Sequence, residues 1–344
     1  MKTSPSAIEA SFNGSIVLDT LMRPFRATQQ TLVFLLFLLM FAGFGLFLPG
    51  FIQFDNLLTL LQNVAILGIL GLGMALVVIG RGIDISMIAA MAVPSGFLLQ
   101  MVQSGQDLPS AILLALALSL AFGLVNGWLI AYAEVPSLFT TLASGLFLAG
   151  LGQAFIFQLE VVQWSEGMDA IAWMGRGNLV GVPMPVIMFG LACSLMAVFL
   201  RKMRAGAFIY AIGDNPFGAR ATGLPTRPII VLEYVLAALI GLFAGVVMAA
   251  SVNSMPTRIY NSTMVYDVVL VVVLGGIGLS GGRGGVVSVI IGTLLIGTML
   301  NGMTIMDISY SLQNIIKGLV LLTAILIDSV LNPRNEETAQ QGDI

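Results

Sequence analysis

Residues 201–228 read RKMRAGAFIYAIGDNPFGARATGLPTRP. This long interior run is both basic and rich in turn-forming residues, and long apolar segments flank it on each side. It carries Arg201, Lys202, Arg204, Arg220 and Arg227. Lysine and arginine concentrate in the cytoplasmic loops of membrane proteins, so the stretch is expected on the cytoplasmic face and sets the orientation of everything around it.

Composition agrees. With 58% hydrophobic and 9% charged residues over 344 positions, the chain is far more apolar than a soluble domain, in which about 25% of residues are charged. It reads as an all-α integral membrane protein. A formal net charge of −3 gives no concentrated basic surface for nucleic acid. There is no histidine, so zinc sites and His-based triads lose their usual ligand or base, and neither a metal nor a cofactor is expected. Cys193 has no second cysteine to pair with.

Outward from 201–228, apolar runs of spanning length for a core of about 30 Å recur along the chain. Before the stretch they fall at 31–48, 57–79, 85–103, 110–132, 137–157 and 182–200; after it, at 229–250, 266–280, 286–303 and 309–331. The expectation is ten spans in one transmembrane domain, 31–331, with a cytoplasmic tail at each end, 1–30 and 332–344. Residues 158–181 form the longest loop on the other face, acidic through Glu160, Glu166 and Asp169, with Trp164 and Trp173 suited to an interface. Residues 251–265 form a second outside loop. Of the 14 lysines and arginines, all but Arg176, Arg258 and the intramembrane Lys317 fall inside, which supports an even number of spans. Span 266–280 is short and ends in the run Gly281-Gly282-Arg283-Gly284-Gly285, the pattern of a broken or re-entrant helix.

Leu124-Val125-Asn126-Gly127 resembles Met299-Leu300-Asn301-Gly302 five spans later, and the two lie near opposite faces in this layout. Both features fit an inverted five-plus-five repeat. The G-x-G-x-x-G spacing at 276–281 lacks an acidic residue about 20 positions on and any strand–helix context, so it reads as close helix packing. Leu279-Ser280-Gly281-Gly282-Arg283 looks like an ATPase signature, but no phosphate-cradling loop accompanies it and the chain is not read as an enzyme. Asn13-Gly14-Ser15 and Asn261-Ser262-Thr263 match the glycosylation sequon, a pattern that chance supplies often.

Ionisable residues within spans are costly and face a bundle interior or an aqueous path by default. Asp84, Glu233, Asp267 and Lys317 are the candidates here. Asp84 and Asp267 also fit wet helix ends, and Lys317 fits pairing with a carboxylate. Ser86, Asn126, Thr140, Thr141, Ser144, Gln153 and Asn301 offer neutral hydrogen bonds to a hydroxylated solute, or equally to one another across helices. Within 213–223 an Asp-Asn-Pro turn, a short helix-competent piece and a glycine stop suggest a surface helix able to contact a soluble partner, or a solvated loop.

This stretch resembles the cytoplasmic loop of ABC importer permeases for ribose, xylose, arabinose and galactose, with its G-x-N-x-x-A-A-R-x-x-G pattern. Gly213, Asn215, Ala219, Arg220 and Gly223 match, and Gly218 replaces an alanine. Gly82-Ile83-Asp84-Ile85-Ser86 is similar to the family's G-G-I-D-L-S segment, although Arg81 stands where a glycine is usual and Met87-Ile88 replace Val-Gly. Val273-Leu274-Gly275-Gly276, the 279–284 block and Ile315-Ile316-Lys317-Gly318-Leu319 extend the resemblance to nearly the whole chain. It implies a second permease copy, identical or paralogous, forming one path with this one. It further implies a periplasmic sugar-binding protein that delivers a monosaccharide or polyol, an ATPase subunit docked on the 201–228 loop, and a place in the bacterial inner membrane. Asp84, Ser86, Asn126, Thr140 and Asn301 are the candidate pathway residues. A branched-chain amino-acid permease and a free-standing ion-coupled carrier are the alternatives.

Overall fold

The computed structural model describes residues 29–157 and 160–331. The rest of the expected tails, with Lys2, Arg23, Arg26, Arg334 and the Asn13 sequon, lies outside the described residues.

The helices are α1 (Gln29–Phe47), α2 (Phe54–Ile79), α3 (Met87–Gln103), α4 (Leu108–Ala131), α5 (Ser137–Leu151), α6 (Asp169–Arg176), α7 (Met184–Lys202), α8 (Arg204–Asp214), α9 (Pro216–Ala221), α10 (Thr226–Val252), α11 (Met264–Leu274), α12 (Val286–Ile305) and α13 (Tyr310–Leu331). Among the described residues, seven helices are long and apolar enough to cross a membrane: α1, α2, α4, α5 with its following turn, α7, α10 and α12. Met87–Gln103, Met264–Leu274 and Tyr310–Leu326 are shorter apolar stretches.

The molecule is built around α2. Every residue from Val64 to Ile79 is buried, as expected of a helix that is apolar all round. The helices α3, α7, α10, α11 and α12 all pack on it. Where water supplies no drive between helices, close approach through small residues does the work. Gly123 and Gly127 on α4 face α10, where added methyl groups would come within 2.6 Å of the Cα atoms of Val235 and Val231. Gly241 and Gly245 on α10 receive α3 in the same way, at Ala90, Met91 and Ser95.

Two expectations are corrected. The helix expected across 266–280 is shorter than that: α11 has 11 residues and at 1.5 Å per residue reaches about 16 Å, roughly half the apolar core, and the glycine-rich residues that follow carry the chain on to Gly282, which meets Ile79. α11 ends because Gly275 and Gly276 follow, the latter with φ +90°. Residues 158–181 are not a plain loop. β1 (Val161–Gln163) pairs antiparallel with β4 (Ser254–Pro256), joining the segment after α5 to the segment after α10. α6 follows, and then a hairpin of β2 (Asn178–Leu179) and β3 (Val182–Pro183). Its two loop residues, Val180 and Gly181, both have positive φ (53° and 83°), the geometry of a two-residue hairpin turn.

The turns collect into two ends. At one, Gly282 N donates to Ile79 O (2.8 Å), Ile83 N to Ser137 Oγ (3.2 Å) and Tyr210 Oη to Gly284 O (2.8 Å), while Arg227 pairs with Glu134 (3.1 Å). At the other, β1 and β4 are tied to α3 by Gln103 Nε2 donating to Gln163 O (2.6 Å), and Gln153 Nε2 donates to Thr257 Oγ1 (2.9 Å).

Candidate functional site

At the first end the segment between α7 and α10 folds as two helices, α8 and α9. The first was unexpected: 201–212 looked like a polar run, yet Gly206, Ile209, Ile212 and Gly213 are buried. These residues form one stripe at helical spacing, and α8 lays it on α2, α7 and α10.

The turn between α8 and α9 follows from its residues. Asn215 is extended (φ −148°, ψ 97°) and its side chain accepts from Gly218 N (2.8 Å), a helix N-cap with Pro216 in the first helical position. The far end closes with Leu224 N donating to Ala219 O (3.0 Å) and Gly223 N to Arg220 O (3.0 Å). Gly223 takes φ +80°, which completes a Schellman cap that a side chain would strain. Ala219 faces inward at 5% exposure. Phe217 and Arg220 face outward. Of the five expected coupling residues, Asn215 and Gly223 therefore shape the short helix, Ala219 seats it, Arg220 is presented, and Gly213 makes a backbone contact taken up below.

The expected pathway residues divide into groups. Asp84, Ser86 and Asn126 come together, exposed by 2%, 2% and 1%. Asp84 accepts from Ser86 N (2.9 Å) and from Ser86 Oγ. Asn126 Nδ2 donates to Ser86 Oγ (3.1 Å), and its own carbonyl oxygen has no donor among the described residues. Thr141 braces the turn by donating to Ile83 O and accepting from Ile85 N (3.2 and 3.1 Å). Thr140 is buried and reaches only back to Val135 O (3.5 Å). Asn301 lies near the opposite end, in a reciprocal amide pair with Asn56 (2.9 and 3.1 Å). Sequence reasoning missed Asn56, which stands just before the apolar run at 57–79 and shares its helix with Gln62 and Asn63.

The four intramembrane ionisable residues also separate. Lys317 Nζ lies 2.9 Å from Asp267 Oδ1 and donates to Asp267 Oδ2 (3.2 Å) and Thr263 Oγ1 (2.9 Å). Glu233 is 1% exposed, and its Oε1 has no hydrogen-bond partner among the described residues. A crevice of about 320 Å³ among α2, α7 and α10 is lined by Leu72, Leu195, Phe199, Leu239, Ile240 and Phe243, among other apolar residues. It offers no hydrogen bonds to a hydroxylated solute, so the polar cluster at 84–126 is the better candidate.

Comparison with known proteins agrees with this arrangement. A family model described as the permease component of a branched-chain amino-acid transport system matches residues 56–325. The chain is 32% identical to the ribose import permease of Escherichia coli over 303 residues, 88% of this chain and 93% of that one. It is 34% identical to the ribose import permease of Bacillus subtilis over 281 residues, 81% and 86% of the two chains. The galactofuranose transporter permease of Escherichia coli is 32% identical over 276 residues, 80% of each chain. No solved structure matches. A match of this extent, on a helical scaffold of apolar spans with a two-helix segment between α7 and α10, places the chain in the family of ABC importer permeases.

Proposed function

We propose that this chain is the membrane-spanning permease subunit of an ATP-driven importer that carries a monosaccharide or related polyol. The observation that carries the reading is the run of relatives named as ribose and galactofuranose permeases, each covering at least 80% of the chain. On this reading the chain crosses the bacterial inner membrane about ten times with both ends cytoplasmic. It pairs with a second permease copy, receives solute from a periplasmic binding protein and is driven by an ATPase subunit docked on 201–228. The exposed Arg220 and Phe217 on the capped helix α9 support the docking role. Closure of the ATPases would push α8 and α9 and shift the permease between inward-open and outward-open states, a population shift supplied by a partner.

The packing also supports an inverted repeat. In it α10 takes α4 and α3, while α2 takes α12 and α11. Likewise α3 packs on α4 and α5, and α11 on α12 and α13. α1 and α7 depart from the pattern, since α1 packs on α12 and α7 on α2. Asn126 and Asn301 lie near opposite ends, as the inversion requires.

An ion-coupled carrier would use Asp84, Asp267 or Glu233; Asp267 is already occupied by Lys317, and the relatives named as import permeases favour the ATP-driven reading. The docking role is tested by Arg220→Glu. Loss of ATPase co-purification and of ATP-dependent uptake, at normal membrane levels, is expected; uptake at the unsubstituted level would contradict it.

A further inference from the structure

The junction between α2 and α3, residues 79–82, is wedged from two sides. From the cytoplasmic segment, the backbone of Gly213 abuts the Ile79 carbonyl so closely that a methyl group on Gly213 would overlap that oxygen. The same carbonyl accepts from Gly282 N (2.8 Å). Gly282 in turn lies against Asp214, and Gly281 against Arg81 and Gly213 O. From the interior, the Glu233 carboxylate occupies the place a side chain on Gly80 would take, and the Tyr234 hydroxyl does the same at Gly82. Arg81, between these glycines, is held at φ 72°, a conformation costing a non-glycine residue roughly 1–2 kcal/mol. Such strain persists only where the surroundings over-determine it.

Two residues further on stands Asp84, bonded to Ser86, which is bonded to Asn126 on α4. Packed backbone transmits displacement because it cannot be compressed. We propose that residues 79–82 are a rigid relay between the ATPase-docking segment and the Asp84, Ser86 and Asn126 cluster, with Gly213, Gly282 and Glu233 as its positioning residues. Motion of α8 pushes Ile79 without slack. Glu233 and Tyr234 make α10 follow, and the 84–86 turn moves with them. This rests on the docking role proposed for 201–228, which the test reads separately.

The full complex is used, with ATPase co-purification, ATP turnover and uptake of radiolabelled ribose measured on the same preparations. Gly213→Ala forces the contact apart. The ATPase is expected to stay bound and turn over ATP while uptake falls about tenfold or more, as for the loss of a typical coupling between sites. Where Gly213→Ala does not reach the membrane, a second variant decides. Arg81→Cys with Asp214→Cys, in a Cys193→Ala background, is joined by a short reducible cross-linker. A rigid relay moves as one body, so uptake after cross-linking is expected to match the uncross-linked control.

Loss of uptake on cross-linking, reversed by reductant, would mean the two segments slide and would overturn the relay. Normal coupled uptake in Gly213→Ala would also overturn it while leaving docking intact. An unsubstituted chain that retains no ATPase would remove docking and the relay together.

Discussion

Asp267 on α11 lies 2.9 Å from the Lys317 ammonium on α13, whereas Glu233 on α10, buried more deeply at 1% exposure, has no ion-pair partner among the described residues. The first carboxylate is held by charge. It joins two of the shorter apolar helices through a network that includes Thr263 and, beyond it, Tyr310 and Asn314. The second is held by shape, filling the space Gly80 leaves open. The buried carboxylate near one end is thus fastened by specific bonds, while the one near the other end is fitted against bare glycine backbone. That second end has hydrogen bonds of its own, Gly282 N to Ile79 O among them, but around 79–82 it adds close backbone contacts that leave no slack, and such contacts pass a push along.

The contrast is most sharply broken by Lys317→Met. Stranding Asp267 without its cation costs about 3–5 kcal/mol, read as a lowered unfolding midpoint of the purified protein. Adding Asp267→Leu removes the stranded charge and recovers most of the loss; an equally unstable double variant would show that the pair is not what holds α11 to α13. Next is Gly80→Ala, which overpacks the Glu233 site at about 1–3 kcal/mol. Glu233→Ala in the same chain opens the space again and restores stability, and failure of that rescue would disprove the fit.

Gly223→Ala strains the Schellman cap by about 1–2 kcal/mol and frays α9. ATPase co-purification falls more than the global unfolding midpoint; equal falls would mean that α9 is not locally organised. The smallest effect belongs to Glu233→Leu. Replacing an unpartnered buried polar group by an apolar one is close to neutral, within about 1 kcal/mol. A loss as large as that of Lys317→Met would reveal a partner for Glu233 and erase the comparison.

Much of this was legible in the sequence, for reasons visible residue by residue. Long apolar runs with few charges dictate helices, because backbone groups in lipid must bond within the segment; each of the ten expected runs contains a helix. Asn215, Pro216 and Gly223 announce the cap, first turn and stop of α9 by their own backbone preferences. The hairpin of β2 and β3 stayed hidden because Val180, a β-branched residue, takes φ 53°, which no local rule favours. α8 stayed hidden because its polar residues outweighed an inward stripe that only tertiary packing explains. The junction at 79–82 was the least legible, since contacts among segments as distant in the chain as 79–82, 213–214, 233–234 and 281–282 leave no local pattern. The candidate pathway residues were legible as types, but only the fold separates the Asp84, Ser86 and Asn126 cluster from the Asn301 and Asn56 pair.

Whether this chain is the permease of an ATP-powered sugar importer can be decided in liposomes. The permease is reconstituted with its ATPase, and uptake of radiolabelled ribose is measured from a sugar-loaded binding protein. Uptake is expected to require ATP inside and binding protein outside and to be indifferent to proton or sodium gradients. Uptake by the permease alone, driven by an ion gradient, would contradict it.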